Sequence, residues 1–347
     1  MDEQDLHNIA NAIVAEGKGI LAADESSPTI KKRFTSIDVE STEENRRTYR
    51  QLLFTTPGIN EFISGVILFD ETLRQKADDG TTFVELLQKQ NIIPGIKVDK
   101  GAKDLAGATG EKVTEGLDGL RERLNEYYDL GARFTKWRAV ITIGEDIPSQ
   151  YCIDANAHAL ARYAALSQEA GLVPIVEPEV LMDGEHTIEQ CYHVTEATLN
   201  CVFQALYDQN VMLEGILLKP NMVLSGKDCS QQAGAEEVAE LTVDCFNNTV
   251  PAAVPGIVFL SGGQSNEIAT ANLNAMNAMD VNHPWQLSFS YGRALQEPPL
   301  KAWRGEAANI EKAQQAFRHR AKCNGAARHG KYTAAMEQEP IEAGAQK

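Results

Sequence analysis

Eight short apolar runs, each followed by a longer amphipathic stretch, constrain this chain more than any other feature. They are 19–24 (GILAAD), 65–70 (GVILFD), 95–99 (GIKVD), 134–140 (FTKWRAV), 172–178 (LVPIVEP), 215–223 (GILLKPNMV), 256–263 (GIVFLSGG) and 286–294 (QLSFSYGRA). Each interval has room for one strand, one helix and two loops. Most of the runs are apolar at consecutive positions, as expected of parallel strands covered on both faces. The intervals carry helix signals. Ser41-Thr42-Glu43-Glu44 opens like an N-cap with acids in the first turn, and the stretches 116–131 and 154–171 each end at a glycine. This pattern predicts an α/β fold, a (β/α)8 TIM barrel of eight parallel strands with outer helices. A doubly wound open sheet is the rival, but neither GxGxxG nor GxxxxGK[ST] is present. One barrel domain is expected over 1–325. From 326 the sequence turns small, polar and aperiodic, which predicts a mobile C-terminal tail over 326–347.

Composition narrows the partners. There are 32 Lys plus Arg against 49 Asp plus Glu, a net charge of −17. Such an anion is repelled by nucleic acid and by anionic membrane, so neither is an expected partner. No run reaches 18 apolar residues and the N-terminus carries no basic, apolar leader pattern, so a cytoplasmic protein is expected. Six cysteines with no CxxC pair read as reduced thiols rather than a disulfide framework.

Ionisable residues gather where the strands end. Asp24 ends the first strand, and Lys97 and Asp99 the third. Lys136 and Arg138 lie in the fourth, Glu177 and Glu179 end the fifth, and Lys219 lies late in the sixth. Three of these pairs are spaced i, i+2, which in a strand points both side chains to one face. They can therefore all face the axis at the C-terminal mouth, where barrel enzymes do their chemistry. Buried charges are costly unless paired, so a set converging on one rim is poorly explained by packing.

Two neighbouring lysines, Lys136 and Lys219, suggest amine catalysis. A nearby cation and desolvation both disfavour a protonated amine. An uncharged lysine attacks a ketone, and the resulting iminium accepts electrons from an adjacent C–C bond as it breaks. Glu177 and Glu179 are candidates for the proton transfers of imine formation, and Asp24 for taking a hydroxyl proton during cleavage. Ser261, Gly262 and Gly263 after the seventh strand, with Ser290, Gly292 and Arg293 after the eighth, fit the barrel phosphate site. Lys97, Arg138, Lys32 and Arg33 form a second cationic group suited to another phosphate.

Metal chemistry has little support in the sequence. The histidines are His7, His158, His186, His193, His283, His319 and His329. None falls in the eight runs, and there is no HxxxH or HxH pair, so no metal ligand is assigned. A catalytically silent barrel serving as a binding scaffold is the alternative from another class, since a fold alone does not establish activity.

These residues carry a family resemblance. The segments GKGILAADES (17–26), TEENRRTYRQLL (42–53), GVILFDETL (65–73), QKADDG (75–80), GIKVDKG (95–101), KWR (136–138), PIVEPE (174–179), EGILLKPNM (214–222), FLSGGQS (259–265), SFSYGRALQ (288–296) and GKYT (330–333) run in order over nearly the whole chain. The chain resembles class I fructose-bisphosphate aldolase, the Schiff-base type. The resemblance implies a lyase that reversibly cleaves fructose 1,6-bisphosphate to dihydroxyacetone phosphate and glyceraldehyde 3-phosphate, without cofactor or metal, usually as a homotetramer. It implies Lys219 as the Schiff-base lysine, Asp24 as the acid/base of C–C cleavage and Glu177 as the main acid/base of the imine steps. Glu179 would be the neighbour of Glu177, and Lys136 the neighbour of Lys219. Ser261, Gly262, Gly263, Ser290, Gly292 and Arg293 would hold the phosphate of the ketone half. Arg138 would face the distal phosphate, with Ser26, Lys32, Arg33 and Lys97 on the same side. Two departures stand out. Animal members end in a tyrosine implicated in proton transfer at the ketone carbon, whereas this chain ends Ala343-Gly344-Ala345-Gln346-Lys347, so that role is expected to be lost or moved. Asp70 stands where animal members carry histidine.

Overall fold

The computed structural model describes residues 3–281 and 283–339. Eight parallel strands close into a barrel: β1 (Gly19–Ala23), β2 (Ile63–Leu68), β3 (Ile93–Lys97), β4 (Phe134–Ile141), β5 (Val173–Val180), β6 (Leu217–Leu218), β7 (Gly256–Phe259) and β8 (Gln286–Tyr291). Each pairs with its neighbour in sequence, and β8 returns to β1. Every expected strand is present, and helices fill the intervals between them.

Both strand faces are buried, for different reasons. In β4, Thr135 and Trp137 point outward. Trp137 stacks on Tyr163 at 5.5 Å between ring centroids, and Thr135 Oγ1 lies 3.1 Å from the Tyr163 hydroxyl. Phe134, Lys136 and Arg138 alternate inward. The same period runs through Ile20 and Ala22 of β1 to Asp24 just past its end, through Val173, Ile175, Glu177 and Glu179 of β5, and from Leu217 of β6 to Lys219 just past its end. In each strand the inward positions are apolar at the bottom and ionisable at the top. The inward apolar residues Ile20, Ala22, Ile67, Phe134, Val173, Ile175, Leu217 and Val258 form one buried cluster. The N-terminal helix Glu3–Ile13 closes this layer from below with Leu6, Ala10 and Ile13. Phe134 fits because β3 has a glycine opposite it: a Cβ on Gly95 would sit 2.3 Å from its ring. Emptying the site with Phe134→Ala is expected to cost about 3–5 kcal/mol.

Local starts and stops follow the side chains. Thr42, rather than Ser41, caps the helix Glu43–Phe54 by accepting from Asn45 N at 3.1 Å. The stretch 116–131 yields the helix Leu120–Asp129, and 154–171 spans most of a helix that begins earlier, Gln150–Glu169, and the turn that closes it at Gly171. A small antiparallel hairpin, Ala102–Asp104 with Lys112–Thr114, follows β3 and was not expected.

Of the tail expected over 326–347, residues 326–339 are described and 340–347 lie outside the described residues. The last long helix runs Ile310–Ala327, and a short 3-10 helix covers Ala334–Gln338. Arg328 is buried and donates to Leu287 O, Val14 O and Ala15 O, which joins both chain ends to the barrel floor. Residues 326–339 are therefore held in place. The terminal residues 343–347 lie outside the described residues. The described cysteines are all free, and no helix among the described residues is long and apolar enough to cross a membrane.

Candidate active site

The inward alternation delivers the charged residues to a cleft of about 850 Å³ at the C-terminal mouth. Register fixes their relative heights. Lys97 pairs with Lys136 across β3 and β4, and Arg138 with Glu177 across β4 and β5. Lys219 follows directly on β6, with its N–H on Val176 O at 2.8 Å.

Glu177 links the two lysines. Its Oε1 lies 3.1 Å from Lys219 Nζ and its Oε2 lies 3.2 Å from Lys136 Nζ. The second contact is off hydrogen-bond geometry, so that buried oxygen retains an unused acceptor direction. Lys136 Nζ also lies 2.7 Å from Asp24 Oδ2. Burial alone would raise the Asp24 carboxyl, but Lys136 and Lys219 outweigh it and hold it well below the usual carboxylate range. Burial likewise acts to lower the Lys136 ammonium, and Asp24, Glu177 and Asp99 outweigh it and raise it. Asp24 and Lys136 are thus a carboxylate and an ammonium at neutral pH.

Beyond this centre the cleft has two cationic ends. Toward β3 and β4, Lys97 is tied to Asp99 and Arg138 to Glu179, while Arg33, tied to Glu25, reaches the cleft beside Gly292, with Ser26 nearby on the cleft wall. At the β7 and β8 end lie Ser261, Gly262, Ser290, Gly292 and Arg293. Gly292 precedes the helix Arg293–Trp303, whose N-terminus opens at the cleft lip. Ser290 Oγ is buried, borders the cleft and has no hydrogen-bond partner. An orphaned hydroxyl beside a helix N-terminus suits an incoming oxyanion.

Two expected residues do not line the cleft. Lys32 is exposed on the helix Ser27–Thr35, because Ile30 and Phe34 take the packed face and leave it turned to solvent. Gly263 donates its N–H to Met182 Sδ at 3.0 Å instead of to the cleft. Three contributors were not anticipated. Glu25 is buried and joins Arg33, Arg50 and Gln296. Asn221, two residues past Lys219, accepts from Val180 N at 3.0 Å and donates to Thr195 Oγ1 at 3.0 Å, tying the ends of β5 and β6 together. Met182 reaches the β7 loop. Only Asn221 had a readable signal, its i, i+2 spacing from Lys219.

A closed parallel barrel with a lysine–carboxylate cluster in a cleft at its C-terminal mouth has the architecture of a barrel enzyme. Comparison with known proteins makes this particular. The family described as fructose-bisphosphate aldolase class-I matches residues 5–346. A probable fructose-bisphosphate aldolase class 1 of Xanthomonas campestris is 63% identical over 333 residues, covering 96% of this chain and 99% of the relative. The fructose-bisphosphate aldolase of Dictyostelium discoideum is 58% identical, covering 93% and 91%. Among solved structures, fructose-bisphosphate aldolase from Plasmodium falciparum, in complex with TRAP and a small-molecule inhibitor, superposes with a TM-score of 0.94 at 53% identity, covering 95% of this chain and 96% of that one. This chain belongs to the class I fructose-bisphosphate aldolase family and is a lyase. The silent-scaffold alternative falls with that assignment.

Proposed function

We propose that this chain cleaves fructose 1,6-bisphosphate reversibly through a Schiff base on Lys219. The observation that carries the choice of lysine is the pairing of Lys136: Asp24 at 2.7 Å and Glu177 at 3.2 Å keep it an ammonium, which cannot attack a carbonyl. Among the described residues Lys219 pairs with one carboxylate, Glu177 Oε1 at 3.1 Å, placed to take the proton that must leave Nζ. The amine then adds to the C2 ketone. Glu177 protonates the carbinolamine oxygen, water leaves, and an iminium remains. Asp24, held ionised, accepts the C4 hydroxyl proton while the C3–C4 electrons move into the iminium. Glyceraldehyde 3-phosphate departs and an enamine remains. Protonation at C3 and hydrolysis release dihydroxyacetone phosphate and restore Lys219. The ammonium of Lys136 offsets charge on the two carboxylates throughout.

Ser261, Gly262, Ser290, Gly292 and Arg293 hold the ketone-side phosphate in this reading, while Ser26, Lys97 and Arg138 face the other and Arg33, beside Gly292, lies within reach of the first. Glu179 restrains Arg138. Metal and organic cofactors have no step to perform. The reading extends to a homotetramer, as the family resemblance implies. It also extends to a cytoplasmic protein, supported by a 58% identical Arabidopsis thaliana relative named cytosolic.

The test is borohydride reduction in the presence of dihydroxyacetone phosphate, followed by peptide mapping, beside a cleavage assay with and without chelator. A single secondary-amine adduct on Lys219 and chelator-insensitive cleavage are expected. An adduct on another lysine overturns the assignment of Lys219, and cleavage that chelator abolishes and zinc restores overturns the mechanism.

A further inference from the structure

The last long helix, Ile310–Ala327, carries His319 and Cys323 one turn apart and therefore on one face. Cys323 Sγ lies 3.8 Å from His319 Nε2. A third donor arrives from the 3-10 helix Ala334–Gln338, where Glu337 places a carboxylate oxygen so that the three donor atoms all lie within 4.8 Å of one another. None of the three residues lines the catalytic cleft.

The spacing matches one kind of ligand. A tetrahedral zinc ion has Zn–N near 2.0–2.1 Å and Zn–S near 2.3 Å, which separates its nitrogen and sulfur donors by about 3.5 Å. The observed pair needs to close by only a few tenths of an ångström. Glu337 is already oriented. The Tyr332 hydroxyl donates to Oε1 at 2.7 Å and Arg320 Nη1 to Oε2 at 2.7 Å. Such outer contacts commonly fix a carboxylate ligand, and each carboxylate oxygen keeps a second lone pair for a metal. Arg320 is occupied elsewhere too, by Thr270 Oγ1 at 3.0 Å. One thiolate and one carboxylate supply two negative charges to a divalent ion, the carboxylate sharing its charge with Arg320.

We propose that His319, Cys323 and Glu337 form a three-ligand site for a zinc-class divalent cation, which fastens the C-terminal segment to the last barrel helix and takes no part in cleavage. A water completes the coordination. Burial pushes the His319 imidazolium down, which favours the ligating neutral ring, and pushes the Cys323 thiol up to about 11, so metal uptake releases a thiol proton.

Cobalt(II) titration of the reduced, chelator-treated full-length protein tests this. A thiolate-to-cobalt band in the near ultraviolet and tetrahedral d–d bands should appear at one equivalent and vanish on adding zinc. Glu337→Gln and His319→Asn, both at half-buried positions, should each weaken binding at least tenfold, and Cys323→Ser should abolish the thiolate band. Tyr332→Phe should weaken binding about tenfold while leaving the ligands in place. Zinc should raise the melting temperature of the parent and not of Cys323→Ser. Absence of a thiolate band, or its persistence in Cys323→Ser, overturns the site. Cleavage that rises or falls with the metal overturns its structural role, a result separate from the borohydride mapping of Lys219.

Discussion

Glu177 stands 3.1 Å from Lys219 Nζ, reaching from β5 to the residue that follows β6. If that contact transfers protons during imine formation, Glu177→Gln should keep the geometry and lose the base. Cleavage is expected to fall by 10²–10⁴, the range typical for one acid/base group, with borohydride trapping of dihydroxyacetone phosphate slowed in parallel. Lys219→Ala should remove cleavage and trapping together, by on the order of 10⁴ or more. Normal trapping in either variant would contradict the assignment.

Asp24 makes stability depend on acid. Its folded pKa is depressed, so its contribution is fully present above the unfolded value of about 3.9 and is lost as pH falls toward the folded value. The difference in unfolding free energy between parent and Asp24→Asn should be constant near neutrality. Below about pH 4 it should shrink by about 1.4 kcal/mol per pH unit. Urea unfolding at several pH values measures it, and a difference that grows with acid would contradict the depressed pKa.

Ser290→Ala separates binding from folding. Removing an orphaned buried hydroxyl relieves a desolvation cost, so the melting temperature should hold or rise. The KM should increase about 10–150-fold if that hydroxyl meets the phosphate, as for one hydrogen bond to a charged group. A fall in melting temperature with unchanged KM would mean that Ser290 serves packing instead.

Met182→Leu asks whether Gly263 belongs to the phosphate site. The substitution keeps bulk but removes the sulfur that accepts the Gly263 N–H. A released amide that can turn toward phosphate should lower KM about 2–10-fold with kcat within about twofold. Unchanged KM in steady-state assays would leave Gly263 outside the site.

The barrel was legible because strands buried on two faces write themselves as continuous apolar runs, and the catalytic centre because i, i+2 spacing survives translation into alternation. Other parts left no such trace. Glu25, Arg50 and Gln296 meet across separations of 25 and 271 residues, which local pattern cannot reveal. The hairpin Ala102–Asp104 with Lys112–Thr114 is short, and its first strand is exposed throughout, so no hydrophobic period marks it. Residues 326–339 looked aperiodic because polar anchors such as Arg328 and Glu337, not an apolar stripe, hold them. Lys32 misled for the converse reason: its charge was visible, but its place on the solvent face depended on which side Ile30 and Phe34 packed.

The N-terminal helix covers the end of the barrel opposite the cleft, so among the described residues the cleft is the opening that reaches Lys219. Both fragments of a split sugar must therefore depart by the route the whole molecule used. On the proposed mechanism the ketone fragment is still bonded to Lys219 when the carbon chain breaks, so the aldehyde goes first and water enters to free its partner only afterwards. The covalent link thus sets the order of release, and the closed floor sets the path by which both products leave.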